Sequence, residues 1–98
     1  MTITEIEKET YDEMRLDLLQ EDNDKTVAAH EARVHGYEEL AEILYAEREP
    51  IRANLKAVEE CLSYMMYTKE KRHLYPNRPA PSKETQQIVF DLLKAYNY

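Results

Sequence analysis

Ile51-Arg52-Ala53-Asn54-Leu55-Lys56-Ala57-Val58-Glu59-Glu60-Cys61-Leu62-Ser63-Tyr64-Met65 decides the fold. Its apolar residues Ile51, Leu55, Val58, Leu62 and Met65 step by four, three, four and three, so they line one side of a helix with 3.6 residues per turn. Ala57, Cys61 and Tyr64 widen that face. This periodicity predicts a central helix running to about Arg72. Pro50 has no N–H to donate and disfavours a helical residue before it, which predicts a turn near Arg48 and Glu49 and Pro50 in the first turn of the new helix.

Upstream, Val27, Val34, Tyr37, Ala41 and Leu44 keep a helical spacing and predict a second helix from about Lys25 to Ala46. Gly36 interrupts it at a cost of about 1 kcal/mol relative to alanine. The stripe stays in phase across that glycine, so the reading carries the helix through it. Further back, Ile3, Ile6, Thr10, Met14 and Leu18 form a thin stripe. Thr2 with Glu5, or Thr4 with Glu7, fits a capping box that would start a helix in the first residues. Glu21-Asp22-Asn23-Asp24 lacks apolar anchors and predicts a connection at about residues 21 to 25.

Downstream, Pro76-Asn77-Arg78-Pro79-Ala80-Pro81 puts three prolines into six positions and predicts an extended connector. Ser82 is a suitable N-cap for a short last helix with Ile88, Val89, Leu92, Leu93 and Tyr96 on its buried edge. The expected fold is all-α: a small bundle of three main helices plus a short C-terminal helix. Its core should set Ile51, Leu55, Val58, Leu62 and Met65 against Leu40, Leu44, Met14 and Leu18.

Composition agrees. A chain of 98 residues has room for one domain, read here as residues 1–98. One glycine and no tryptophan leave little material for a turn-rich β fold or a glycine-looped nucleotide site. One cysteine cannot close an internal disulfide, and no stretch approaches the ~20 apolar residues of a membrane span. The chain is therefore expected in the cytoplasm, away from membranes. Its apolar stripes are narrow for a monomer, which predicts a homo-oligomer or an obligate partner.

Residue constellations for catalysis are sparse. His35 shares a helix face with Glu31, Glu38 and Glu39, and His30 lies near, but paired di-metal helices place the glutamate three residues before the histidine and need a second such helix. Here the spacing is four, so no metal or other cofactor is expected. Glu38, Glu39 and Glu42 form an EExxE pattern that resembles the magnesium-binding helix of all-α nucleotide pyrophosphohydrolases. That family needs a facing acidic pair of the ExxD kind. Glu59-Glu60-Cys61-Leu62-Ser63 has no acid three residues on, so the activity does not transfer. Cys61 falls in the apolar phase of its helix without nearby bases to activate it, and reads as a core residue. The chain is expected to be no enzyme.

Charge placement says more. Residues 1 to 24 hold nine acids against Lys8 and Arg15, a net of -7 that equals the charge of the whole chain. Helix-dipole compensation accounts for a few of these, each worth roughly 0.3 to 1 kcal/mol, and leaves most unexplained. An acidic helix steers toward basic protein surfaces and opposes direct binding to nucleic acid. In size and charge the chain is similar to small acidic helical proteins that block nucleic-acid enzymes, such as phage anti-restriction and anti-CRISPR proteins. That likeness implies a protein-binding inhibitor whose partner presents a basic surface. The residues expected to carry it are Glu5, Glu9, Asp12, Glu13 and Asp17, joined by Tyr64 and Tyr67 from the tyrosine-rich second half, where an amphipathic ring suits an interface. The alternative is an oligomeric hairpin that collects a nucleotide or other anion with Lys69, Lys71, Arg72, His73 and Arg78 beside stacking tyrosines.

Overall fold

The structure, a computed structural model, describes residues 1–70 and 79–96. Among the described residues four α-helices follow one another: α1 Lys8–Val34, α2 Glu38–Ala46, α3 Arg48–Glu70 and α4 Lys83–Leu93, the last continuing as a 3₁₀ turn over Lys94–Tyr96. No strand occurs among the described residues. The all-α bundle of three main helices and a short fourth is therefore present.

The first helix begins later than the capping-box reading places it. Glu7 is its N-cap and makes no side-chain cap bond. Thr2 donates instead to Glu5 within a preceding turn. Ile3 and Ile6 are nevertheless buried. The Tyr11 hydroxyl reaches back eight residues to donate to the Ile3 carbonyl at 2.6 Å, which fixes that turn against the core.

The connection expected at residues 21 to 25 is absent, because α1 runs unbroken through it. Asp22 lies on the inner side and receives both Arg48 and Arg52 of α3, each Nε at 3.1 Å. Thr26 donates to the Asp22 carbonyl within the same helix. Lys25 pairs with Glu47. Long-range ion pairs thus hold a segment whose residues have only middling helix propensity.

The chain breaks where the reading let it pass. Gly36 takes φ +85°, a left-handed conformation that costs glycine nothing. The Gly36 N–H donates to the Arg33 carbonyl and the Tyr37 N–H to that of Ala32, at 3.1 and 2.8 Å, which is a Schellman termination. The stripe drawn through Val27, Val34 and Tyr37 is correspondingly exposed, and the buried residues of this region are Ala29, Ala32 and Ala41. Leu40 is 48% exposed and does not belong to the core. Leu44 is half-buried.

α3 follows α2 after Glu47, with Pro50 in its first turn as expected. It packs against α1 and α4, and less extensively against α2. The main core joins Ile51, Ala57, Val58, Cys61 and Met65 of α3 to Ile3, Ile6, Tyr11, Met14 and Leu18 at the N-terminal end and to Val89 and Leu93 of α4; Leu55 and Leu62 pack on its edge. Ser82 caps α4, its hydroxyl accepting from the Thr85 N–H at 3.1 Å. Residues 79–81 of the expected connector are non-helical; its earlier part, and the end of α3 expected near Arg72, lie outside the described residues.

The molecule is long, 56 × 28 × 21 Å, with a radius of gyration of 16.6 Å, against about 13 Å for a compact domain of 100 residues. The cause is α1, whose 27 residues extend about 40 Å at 1.5 Å per residue. Its N-terminal half joins the main core, and its C-terminal half pairs with α2.

Candidate protein-binding face

The acidic residues of α1 follow a helical step. Glu9, Glu13, Asp17 and Glu21 recur every four residues, so their side chains stand one above the other. All four are exposed. Their phase is set by Tyr11, Met14 and Leu18, which turn inward and leave the carboxylates on an outer flank. Among the described residues no lysine or arginine forms a salt bridge with Glu9, Glu13, Asp17 or Glu21.

Other acids are committed within the chain. Asp12 is held by Lys8 at 2.9 Å, a bond that raises the Lys8 pKa above its ordinary value. Glu5 sits in the N-terminal turn, exposed, and accepts from Thr2. Of the five acids read from sequence, Glu9, Glu13 and Asp17 fall into one row on α1. Glu21, absent from that reading, extends it; its four-residue spacing from Asp17 was the available signal, hidden by assigning residues 21 to 25 to a loop.

Beside this row lies a groove of about 340 Å³ between α1 and the end of α4, lined by Met14, Asp17, Leu18, Glu21, Leu92, Ala95 and Tyr96. The Tyr96 hydroxyl donates to Asp17 Oδ2 across it. Burial first, then that hydrogen bond and the charges of Asp17, Glu13 and Glu21, push the Tyr96 pKa up to about 12. Three carboxylates thus act on one phenol at this groove.

Tyr64 and Tyr67 are half-buried on α3, and Tyr64 packs on the core with Met66. They do not join the acidic row. Lys69 is exposed near the end of α3. Lys71, Arg72, His73 and Arg78, the rest of the alternative anion site, lie outside the described residues.

His30, His35, Glu38, Glu39 and Glu42 are exposed. Among the described residues no group of three or more His, Cys, Asp or Glu side chains is arranged to hold a metal ion. Cys61 is fully buried, and burial, with a smaller contribution from Glu60, pushes its thiol up to about 11, far from a reactive thiolate. No described helix is long and apolar enough to cross a membrane. Comparison with protein-family models, with curated proteins and with solved structures finds no match to this chain.

Proposed function

We propose that the chain is a non-enzymatic binding module of the cytoplasm that engages a basic protein surface with the acidic row of α1, and that it inhibits a nucleic-acid-processing enzyme by occupying a phosphate-binding groove. One observation carries this reading: Glu9, Glu13, Asp17 and Glu21 stand in one exposed row with no salt bridge to a lysine or arginine among the described residues. Stacked like charges destabilise a helix by roughly 0.2 to 0.5 kcal/mol per pair. Their placement in one row, at a cost to the helix, therefore speaks for a use outside the fold. A rigid helix spacing carboxylates one turn apart offers a polyanion whose charges are already ordered, which lowers the entropic cost of binding.

The experiment is affinity capture at physiological ionic strength, followed by assay of the captured enzyme on its nucleic acid. The wild-type chain should inhibit it, and excess DNA or RNA should compete. Glu9→Lys with Glu13→Lys should lose inhibition while keeping the helical signal. Lys71→Glu with Arg72→Glu should leave inhibition intact, and its loss in that variant would move the function to the basic cluster that includes these two residues.

A further inference from the structure

The acidic row explains attraction to a basic partner but not where a side chain would seat. The groove between α1 and the end of α4 supplies such a place. Its 340 Å³ lies at the small end of ligand pockets, roughly 300 to 1,000 Å³, and suits one long side chain better than an extended ligand. Its apolar lining comes from Met14, Leu18, Leu92 and Ala95, and its polar groups are Asp17, Glu21 and the Tyr96 hydroxyl. The combination of hydrocarbon with two carboxylates, unpaired with any described cation, selects an occupant with an aliphatic stem and a cationic head.

We propose that this groove is the receptor for a single arginine side chain of the basic partner, its methylenes lying along Met14, Leu18 and Leu92 and its guanidinium bridging Asp17 and Glu21 beside the Tyr96 ring. This rests on the reading of α1 as a basic-protein-binding helix and adds the residue type that anchors it. Arginine fits better than lysine for two reasons. Its planar fork of five donors reaches two carboxylates at once, and its face stacks on an aromatic ring. The Tyr96 hydroxyl already occupies Asp17 Oδ2, which leaves the other oxygen for the incoming donor and keeps α4 in place as the groove's second wall. A bare metal ion would meet only two carboxylates over a hydrocarbon floor, a poor ligand set for a hard cation.

The test uses the full chain with nona-arginine and nona-lysine peptides at about 0.15 M ionic strength, where exposed charges more than about 8 Å apart are largely screened. Wild type should bind nona-arginine more tightly than nona-lysine. Ala95→Phe, at an exposed position, fills the groove without altering charge and should cost about tenfold in nona-arginine affinity and remove the preference. Glu21→Gln keeps the groove's shape, removes one carboxylate and should do the same. Glu9→Lys with Glu13→Lys should weaken both peptides alike. Retention of the wild-type preference by Ala95→Phe or Glu21→Gln, in a variant with the native helical signal, overturns the arginine receptor. If the Glu9 and Glu13 reversal still weakens both peptides, the acidic-helix reading survives that result. Equal binding of the two peptides by wild type also overturns the receptor. Unchanged binding by the Glu9 and Glu13 reversal variant overturns the acidic-helix reading, and the groove assignment with it.

Discussion

Asp22 and Arg48 meet at 3.1 Å across the junction of α1 and α3, with side chains only 20% and 17% exposed. Arg48 also lies 5.7 Å from the ring centroid of Tyr45, whose other neighbour is Arg33 at 5.1 Å. One carboxylate therefore fixes the start of α3 against the middle of α1.

Removing it should be costly for a charge so near the surface. Asp22→Ala leaves Arg48 half-buried without its acceptor and should destabilise the fold by about 1 to 3 kcal/mol. The exposed Lys8–Asp12 pair should contribute less than about 1 kcal/mol. Urea unfolding of Asp22→Ala and Asp12→Ala measures the contrast.

Gly36→Ala should destabilise by about 1 to 2 kcal/mol, since the left-handed conformation is penalised by a Cβ. No atom lies within 4 Å of the position that Cβ would take, so the cost is conformational and not a clash. In a continuous helix the same change would stabilise by about 1 kcal/mol. The sign of the shift in urea midpoint distinguishes the two arrangements.

Core and surface leucine-like residues should separate cleanly. Met65→Ala empties a fully buried site and should cost about 2 to 5 kcal/mol. Leu40→Gln with Ile43→Gln alters two exposed residues and should leave stability within about 0.5 kcal/mol per site. Thermal melts followed by circular dichroism read both.

Alkaline pH should unfold the chain in a defined window. The folded-state pKa values of Cys61, about 11 against an ordinary 9.0, and Tyr96, about 12 against 10.0, are both raised. Tyr11 is raised as well, chiefly by burial. Each protonated group is favoured by folding, so above its ordinary pKa the unfolded chain releases protons that the folded chain retains. The contribution of these three groups should be constant below about pH 9 and be lost progressively above it, that of Cys61 first. Cys61→Ala should remove the lower part of the decline in urea titrations at stepped pH.

How much of this was legible varies with residue size. Ile51, Val58 and Met65 announce α3 because large side chains at three- and four-residue steps are unambiguous. Between Leu18 and Ala41 the inner face is built from Asp22, Ala29 and Ala32, which a search for large apolar residues passes over. Val27 and Val34 keep a helical spacing of their own and drew the stripe to the solvent side. Glu21-Asp22-Asn23-Asp24, without an apolar anchor, reads as a loop, and that reading conceals that the acidic row reaches the groove. Tyr96, 79 residues from Asp17, enters that groove through tertiary packing alone, which no local pattern encodes.

The division of α1 between two kinds of neighbour sets up unequal mechanical behaviour along a single helix. Near Met14 and Leu18, opening a turn means pulling large side chains out of the main core. Near Ala29 and Ala32 it means parting small side chains in a region where the only buried residue of α2 is Ala41. Backbone amides should accordingly exchange with solvent faster toward Val34 than toward Met14, as a local opening that spares the rest of the bundle. The end bearing the acidic row is the stiff one. A partner gripping it meets a surface already in its final shape, while the α2 end can yield without loosening that grip.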